Sequence, residues 1–536
     1  MKKYKILNDC RGDSYSEIID KIMDSRGIID VEHFLNPKDE DLIPLTNLKN
    51  IDIAANVFLQ SIISNKKIGV LFDVDTDGIC SGTIITRYTR EVLNYPVSIF
   101  INNGKDHGLR GQDLTRFKDL DLLIIVDSLD SDCNQYEILK DSGINIIILD
   151  HHKVDKNINY EDYSTLVSSQ IDYNNKDLSG AGVCWKFIKY LDFVHNSDKA
   201  DNYLDLAAIG ILADVMDISE TSLENRLIIY KGLKNLINPG VKKIIGSYEF
   251  NSKAVLFSIA PLINASMRVG RNEDAVNLFL SDDNKELLKY KKSLEQCKIL
   301  QNDEVDRLLP DIIKQFNSQK DSNVLYAIFS SEYGISGLLG NKLLEQYHKP
   351  MFLLQEYKES YSGSMRSEGY NDFSEIVNST NLAKCFGHEQ AAGIVIPKEN
   401  LELLIHELNN ITDKIIKDIN LDIDIDAEIS ISDLNKYLVN EIKRINFISG
   451  KGFKPLKFKI SNVDTYDIGN FKNGQHLTIN PTNNIMFIEW NTKCNFDEME
   501  DHSMMNDSID VYGEIEDGFI GKTYKIKMIL DDYIIK

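Results

Sequence analysis

No run of about 18 consecutive apolar residues occurs anywhere in the 536 residues, so no membrane-spanning helix is predicted. The first 30 residues also contain no apolar segment of the kind found in secretory signal peptides. We therefore expect a cytoplasmic protein with no membrane partner. A chain of this length exceeds one hydrophobic core and indicates roughly two to four domains.

Paired cysteines are also absent. The seven cysteines are scattered and none forms a C-x-x-C pair, which is typical of reduced thiols. This spacing excludes a disulfide framework and a zinc site built from thiolates. Internal repeats and low-complexity tracts do not occur either.

Basic residues are outnumbered, with 60 Lys and Arg against 83 Asp and Glu, giving a net charge of -23. This imbalance argues against a protein that coats nucleic acid non-specifically, because such binding depends on neutralising phosphates with Lys and Arg. It does not exclude a nuclease, since divalent cations can invert the local field of an acidic site. The alternative is that the acidity only keeps the protein soluble.

The pattern of apolar residues changes several times along the chain. From about 51 to 240, strand-length apolar runs alternate with helical patterns, which is typical of βαβ units. The segment 275–320 predicts a long, largely exposed helix that is interrupted or ends near Pro310. A second α/β unit follows at about 321–415, and the remaining residues form short alternating segments typical of a small barrel or sandwich.

Three short apolar segments each lead directly into an aspartate. Because parallel strands end at the same edge of a sheet, the residues that follow them should gather there. Neighbouring carboxylates raise one another's pKa, so such a crowd of acids calls for cations, and the sequence predicts a metal site. The residues expected at this edge are Asp73, Asp75, Asp77, Asp127, Asp150, His151 and His152.

A further acid, Asp214, lies in the almost entirely apolar segment LDLAAIGILADVM at 204–216, which predicts a buried helix. A buried carboxylate without a partner is costly, so Asp214 should bind a metal or a cation. The alternative for Asp214 is a buried salt bridge to an arginine. Four other acids in these stretches are expected to be caps or turn residues, namely Asp130, Asp132, Asp155 and Asp217.

These stretches resemble a known family. Four of them resemble, in order and spacing, the phosphoesterase motifs of the DHH family: FDVDTDGICSGT (72–83), IIVDSLDSD (124–132), ILDHHKVD (148–155) and GILADVMD (210–217). Four downstream stretches resemble the RecJ branch of that family: LSGAGVCWKF (178–187), PLINASMRVG (261–270), GSMRS (363–367) and GHEQAAG (387–393). The likeness covers roughly residues 50–460.

The resemblance implies two α/β lobes joined by a long helix, followed by a C-terminal all-β barrel similar to an OB-fold. The predicted domains are an N-terminal helical segment (1–50), a DHH catalytic domain with a parallel sheet (51–274), the connecting helix (275–320), a DHH-associated substrate-binding domain (321–415) and an OB-fold-like nucleic-acid-binding domain (416–536).

The resemblance also implies a ligand set for two Mn²⁺ ions, with Mg²⁺ as a weaker substitute, which mixed carboxylate and imidazole ligands suit. Two such ions can polarise a phosphodiester and activate water. The implied metal ligands are Asp73, Asp75 and Asp214 on the first metal, Asp77 and His151 on the second, and Asp127 bridging both. The implied catalytic residues beside them are Asp150, which would orient or bind nearby, and His152, which would face the phosphate.

On the substrate side, planar guanidinium groups bind phosphate bidentately. By resemblance, Arg268, Ser364, Arg366 and Ser367 bind substrate phosphates, including the 5′ end, and His388 lies beside the scissile phosphate as a catalytic residue. Gly387 leaves room for close backbone approach.

The stretch GKGFKPLKF at 450–458 resembles the start of the OB-like barrel. There Lys454, with neighbouring lysines and Phe453, offers a basic groove and a stacking ring for a single strand. The alternative is a solvated strand face.

The sequence departs from the family pattern at three places. Met267 and Phe386 stand where the family usually has glycine, and the usual aromatic Tyr-Gly pattern is replaced at 107–109. Met267 would alter how Arg268 is presented, whereas Phe386 would narrow the groove wall or add a stacking ring. None of these departures removes a metal ligand, so an inactive relative is not expected.

By resemblance, we expect a metal-dependent exonuclease that degrades single-stranded DNA from the 5′ end to 5′-mononucleotides, in repair, recombination or replication. Its partner is single-stranded nucleic acid, with DNA favoured; a helicase or single-strand-binding protein would accompany a monomeric enzyme. Two alternatives stay open. One is a DHH-type phosphodiesterase of short RNAs or cyclic dinucleotides, and the other is a non-catalytic DNA-binding scaffold.

Overall fold

A computed structural model describes residues 4–102, 108–370, 372–387, 389–415, 423–464, 467–471, 476–490, 508–520 and 523–536. The chain divides into two compact units, the first formed by Met1–Ser258 with Asp422–Lys536 and the second by Ile259–Leu421. None of the helices in the described residues combines the length and the apolar character needed to cross a membrane.

Strands and helices are numbered along the chain. The strands are β1 (Tyr4–Ile6), β2 (Ile68–Phe72), β3 (Ser98–Ile101), β4 (Leu122–Val126), β5 (Asn145–Asp150), β6 (Thr165–Ser168), β7 (Leu325–Ile328), β8 (Met351–Tyr357), β9 (Ser360–Arg366), β10 (Lys384–Gly387), β11 (Ala391–Pro397), β12 (Ile423–Ile425), β13 (Ala427–Ile429), β14 (Phe458–Asp464), β15 (Ile468–Phe471), β16 (His476–Thr482), β17 (Ile485–Glu489), β18 (Ser508–Ile520) and β19 (Thr523–Ile535). The α-helices are α1 (Tyr15–Ser25), α2 (Val31–Leu35), α3 (Ile51–Ile63), α4 (Thr76–Glu91), α5 (Asn134–Asp141), α6 (Gly180–His195), α7 (Leu204–Ala213), α8 (Leu223–Lys234), α9 (Pro239–Ile245), α10 (Ser252–Ala254), α11 (Ala260–Val269), α12 (Asn272–Leu280), α13 (Asn284–Asn317), α14 (Ser336–Tyr347), α15 (Phe373–Ser379), α16 (Leu401–Ile415) and α17 (Lys436–Asn446).

An all-parallel, five-stranded sheet forms the centre of the first unit, in the order β3-β2-β4-β5-β6. Every residue of β2 and β4 is buried, because helices cover both faces of a parallel sheet and favour continuous apolar runs. The strand order reverses between β2 and β4. Open α/β sheets place their ligands at such a switch point, beyond the carboxyl ends of the strands.

The apolar helix α7 is shorter than the sequence predicted. It ends at Ala213, so Asp214 is its C-cap and lies just beyond the helix. Val215 follows with a φ of 56°, and the amides of Val215 and Met216 donate to Leu212 O and Ile211 O. These are the bonds of a Schellman motif, in which glycine usually takes the left-handed position.

The C-terminal region of the first unit is all-β apart from α17, as the alternating pattern predicted. Its seven strands follow the order β13-β14-β18-β19-β17-β16-β15, and the two long strands β18 and β19 form an antiparallel hairpin at the centre. Strands β13 and β15 are its edges within the described residues. The N-terminal segment, predicted as helical, begins with β1, which pairs in parallel with β12.

Phe453 belongs to the core between these segments and is not the exposed stacking ring that the sequence suggested. It is 3% exposed and packs edge-on against Phe34 at a centroid distance of 4.9 Å. The guanidinium carbon of Arg226 lies 3.5 Å from the Phe34 ring centroid and 5.4 Å from that of Phe453. This cluster joins the N-terminal segment to the start of the C-terminal sheet.

The second unit contains a mixed sheet in the order β10-β11-β9-β8-β7, with only β7 and β8 parallel. Helices α13 and α14 cover one face, and α15 and α16 cover the other. The single helix predicted at 275–320 is two helices, α12 and α13, and α13 begins where Asp283 caps it. Helix α13 continues past Pro310 to Asn317, so the proline does not end it.

Candidate metal centre

The carboxyl edge of the parallel sheet gathers the predicted acids and imidazoles. His151 Nε2 lies 3.1 Å from Asp127 Oδ1, 3.4 Å from Asp214 Oδ2 and 3.8 Å from Asp77 Oδ2. Three overlapping groups have ligand atoms that all lie within 4.8 Å of one another. They are Asp73, Asp75 and Asp127; Asp77, His151 and Asp214; and Asp127, His151 and His152.

Asp127 is shared between two of these groups and is the least satisfied of the acids. It follows β4 with a φ of 53°, a strained conformation for a residue other than glycine. Its side chain is buried, and Oδ1 accepts no hydrogen bond among the described residues. Burial and then the charges of Asp77 and Asp75 raise its pKa well above the ordinary value. A buried carboxylate oxygen that accepts no hydrogen bond fits a metal ligand.

Asp77 is held by the start of α6, a contact that the sequence did not predict. Its carboxylate accepts hydrogen bonds from the Ser179 hydroxyl at 2.9 Å and from the amides of Gly180 and Ala181 at 2.7 and 3.0 Å. Among the described residues, Oδ2 accepts the bond from Gly180 alone, which leaves a lone pair on the oxygen facing His151. The N-terminal end of a helix also favours negative charge.

Gly180 lies where any larger residue would collide with the site. A Cβ on Gly180 would stand 2.6 Å from Asp127 Oδ1. The stretch LSGAG resembles a family motif, but no role was predicted for it. It positions both Asp77 and Asp127. Small residues at the start of a helix were its only sequence signal.

Asp73 and Asp75 lie beside the end of β2. Asp75 caps α4 by accepting from the Gly78 amide at 2.9 Å. Burial, followed by the charges of Asp73 and Asp77, raises the pKa of Asp75 to about 7. Asp73 Oδ1 accepts from Asn102 at 3.2 Å, an amide that sequence reasoning missed.

Asp214 lies with the second group of ligands. The resemblance placed it on the first metal with Asp73 and Asp75, whereas its ligand oxygen groups with Asp77 and His151. Burial and then the charge of Asp77 raise the pKa of Asp214 to about 7. The helix end at Ala213 and the Schellman motif fix its position.

Asp150 orients His152. It is fully buried, and it accepts from the Leu129 amide at 2.7 Å and from His152 Nδ1 at 3.0 Å, assigned as the protonated nitrogen. Burial acts to raise the pKa of Asp150, but the charges of His152 and His151 outweigh it and the pKa is lowered. Burial also opposes the charged form of His152, yet Asp150 outweighs it and raises the pKa of His152 to about 10.

Taken together, this donor set fits divalent cations. It combines hard carboxylate oxygens with imidazole nitrogen, the mixture that suits Mn²⁺ and accommodates Mg²⁺. Burial and mutual repulsion hold the pKa values of Asp75, Asp127 and Asp214 above normal, and bound cations would remove that repulsion.

In the second unit, two predicted phosphate-binding arginines lie without an acidic partner among the described residues. Arg268 Nη1 donates to Gln301 Oε1 at 2.9 Å, and Arg366 Nε donates to Asn341 Oδ1 at 2.5 Å. Burial lowers the pKa of both groups, and Arg268 lowers that of Arg366 further. Ser364 joins the start of α14 through a 2.8 Å contact between its hydroxyl and that of Ser336.

The remaining predicted substrate residues differ in their surroundings. Ser367 is buried, and its hydroxyl has no hydrogen-bond partner within the described ranges. Gly387 ends β10 with a φ of 124°, a conformation open to glycine. His388 lies outside the described residues.

The lysines at 451–459 do not form the basic groove that the sequence suggested. Lys451 pairs with Asp177, Lys457 pairs with Asp531, and Lys459 pairs with both Glu428 and Asp510. Lys454 is exposed, and its backbone carbonyl accepts a hydrogen bond from Arg26.

Comparison with known proteins shows which family this chain resembles. The family model described as "DHH family, N-terminal domain" matches residues 67–211, and the model described as "DHHA1 domain" matches residues 321–414. YorK of the SPbeta prophage of Bacillus subtilis strain 168, provisionally named a single-strand DNA-specific exonuclease, is 30% identical over 484 residues, covering 82% of this chain and 81% of YorK. The single-stranded-DNA-specific exonuclease RecJ of the same bacterium is 28% identical over 401 residues, covering 71% of this chain and 50% of that protein.

The fold matches a solved structure as well. RecJ from Thermus thermophilus in complex with Mn²⁺ superimposes with a TM-score of 0.77 at 19% identity, covering 99% of this chain and 79% of that one. A Mg²⁺ complex of the same RecJ gives a TM-score of 0.73 at 19% identity, covering 99% and 78%. The predicted fold class is confirmed, and the chain belongs to the RecJ branch of the DHH family.

Proposed function

We propose that this protein is a metal-dependent exonuclease that degrades single-stranded DNA from the 5′ end and releases 5′-mononucleotides, in repair, recombination or replication. The observation that carries the proposal is the buried Asp127, whose Oδ1 accepts no hydrogen bond within the described residues and whose carboxylate belongs to two of the three groups of ligands. The names of YorK and RecJ support single-stranded DNA as the substrate. The 5′ polarity follows from the family resemblance.

The centre would hold two divalent cations, Mn²⁺ with Mg²⁺ as a substitute. Asp73 and Asp75 would bind one and Asp77, His151 and Asp214 the other, in line with the grouping of their ligand atoms. Asp127, which groups with Asp73 and Asp75 and also with His151, would bind both. Paired divalent cations polarise a phosphodiester and lower the pKa of water. Relatives of this branch have been crystallised with Mn²⁺ or Mg²⁺.

The chain's own residues position the substrate. Asp150 contacts the ring of His152 through Nδ1. His152 would contact the phosphate being cut. Arg268 and Arg366 would bind a phosphate, because a guanidinium presents parallel N–H donors to its oxygens and neither group has an acidic partner in the described part of the chain. His388 would lie beside the scissile phosphate, as its family motif implies.

The proposed domain limits are those expected from the sequence, with the DHH-associated domain at 321–415 supplying Arg366 and Ser364. The protein would act as a monomer, and a helicase or single-strand-binding protein would present the strand. Lys454 has no part in this scheme beyond an exposed positive charge.

The test is digestion of 3′-labelled single strands carrying a 5′-phosphate or a 5′-hydroxyl, with Mn²⁺. Wild-type protein should shorten the phosphorylated strand steadily from its 5′ end. Asp127→Ala should lose turnover by orders of magnitude, because the shared ligand is removed. Asp155→Ala is the matched control, since Asp155 lies in the same loop as His151 and its side chain accepts from the Asn157 amide in an exposed turn.

Each alternative has its own outcome. Hydrolysis confined to dinucleotides would support a small-substrate phosphodiesterase. Tight binding of DNA without hydrolysis in Mn²⁺ would support a scaffold. Wild-type turnover by Asp127→Ala would refute the assignment of the metal centre.

A further inference from the structure

Phe386 exposes a large aromatic ring on the sheet that also carries Arg366. The side chain lies in β10, directly before Gly387, and is 60% exposed. The cost of leaving such a surface in water is substantial, and an exposed ring next to cationic groups is a feature of surfaces that bind single strands.

The register of the sheet shows which face carries the ring. Phe386 pairs with Gly393 on β11, and Gly393 pairs with Ser364 on β9. Residues directly opposite one another in antiparallel strands project to the same face. Ser364 contacts Ser336 of α14, so the Phe386 ring projects to the face on which α14 lies.

Arg366 shares this face because it is two residues from Ser364 on β9. Its guanidinium packs on the first turn of α14, where a Cβ on Gly337 would stand 2.6 Å from Arg366 Nη2. Residues of opposite parity, including Cys385, Ala392 and Met365, belong to the core on the other face. The alternation is therefore consistent across all three strands.

Small residues lie between the ring and the arginine in the described part of this sheet. A Cβ on Gly393 would meet nothing closer than Phe386 O at 3.7 Å, and Ala391, which pairs with Arg366, is exposed. Two strand spacings separate Phe386 from β9, which is about 10 Å. The surface is thus formed by small residues, with the Phe386 ring at one side and the Arg366 guanidinium at the other.

We propose that the Phe386 ring stacks on a nucleobase of the strand whose phosphate is bound by Arg366. This inference rests on the proposed function, in which the substrate is a single strand. Charge selects the occupant: Arg366 and Arg268 attract a phosphate, and neither pairs with a carboxylate in the described residues. Stacking would add affinity for any base, since every base has a π-face.

The test measures binding separately from cleavage. Fluorescence anisotropy in EDTA would give the Kd of a 3′-labelled, 5′-phosphorylated strand and of a matched strand whose first three nucleotides are abasic. Phe386→Ala should weaken binding of the normal strand by about 5- to 150-fold and leave the abasic strand unchanged. Phe386→Trp, which keeps a stacking ring, should bind the normal strand at least as well as wild type.

Phe519→Ala is the matched control, because Phe519 is 71% exposed on the β18–β19 hairpin of the first unit. It should leave both Kd values unchanged. Equal binding of the normal strand by Phe386→Ala and wild type would overturn the proposal, and so would an equal loss on both strands. Failure of the nuclease function is a separate result, since it would appear as no cleavage by wild type in Mn²⁺.

Discussion

Replacing Ser179 with alanine tests whether α6 holds Asp77 in place for the metal. The Ser179 hydroxyl donates to Asp77 Oδ1 at 2.9 Å and accepts from the Gly182 amide at 3.3 Å. Ser179→Ala removes one oxygen and with it both hydrogen bonds. The position is fully buried, so no solvent molecule from the surface replaces the lost donor directly.

The two lost bonds have different consequences. Loss of the helix cap costs about 1 kcal/mol of folding stability, and loss of a hydrogen bond to a carboxylate costs about 1.5–3 kcal/mol. The amides of Gly180 and Ala181 still bind Asp77, so the carboxylate remains partly oriented. We therefore expect the lower end of the 10- to 100-fold range for groups that support a ligand, about tenfold weaker Mn²⁺ binding, or about 1.4 kcal/mol.

Calorimetric titration with Mn²⁺ would measure this loss without relying on activity. Ser14→Ala is the matched control, because Ser14 caps α1 in a reciprocal capping box with Glu17. It should lose about 1 kcal/mol of stability with its Mn²⁺ affinity unchanged. If Ser179→Ala binds Mn²⁺ as tightly as Ser14→Ala does, α6 does not position Asp77 and the reasoning fails.

Three further changes test the same structure. Gly180→Ala should weaken Mn²⁺ binding more than Ser179→Ala, since its Cβ would stand 2.6 Å from Asp127 Oδ1; equal affinities by titration would contradict this. Lys186→Met should destabilise the protein by about 3–5 kcal/mol in urea unfolding, because it leaves Glu224 buried without its cation, and a loss below about 1 kcal/mol would argue against a buried pair. Mn²⁺ at about 100 times its Kd should stabilise wild type by about 2.7 kcal/mol in the same assay, and an equal gain in Asp127→Ala would show that the ion binds elsewhere.

The location of the site was predictable because its sequence signal is local. A strand buried on both faces is a continuous apolar run, so the first aspartate after it marks the edge of the sheet. Strands β2 and β4 end directly before Asp73 and Asp127, and β5 ends at Asp150. The parallel order of these three strands then brings their ends together.

Asp205 and Asp214 show the limit of what the local sequence can predict. Both lie in the same apolar segment, and the sequence analysis considered only Asp214. Asp205 is buried but accepts from the amides of Ile237 and Asn238, at 2.7 and 2.6 Å, so its environment is satisfied by the backbone. Nothing in the segment distinguishes these two carboxylates, because their partners come from other parts of the chain.

Asp77 is the clearest example of a residue whose supporting contacts could not be predicted from the sequence. Its donors lie 102 to 104 residues away, and two of the three are backbone amides, which any residue other than proline could supply. The sequence therefore shows which side chains can bind a metal, but it says little about which groups orient those side chains. Only Ser179 and the missing side chain of Gly180 leave a trace in the sequence. Variants confined to the acidic motifs would identify the metal ligands. Changes at the start of α6 are needed to show how the fold orients those ligands.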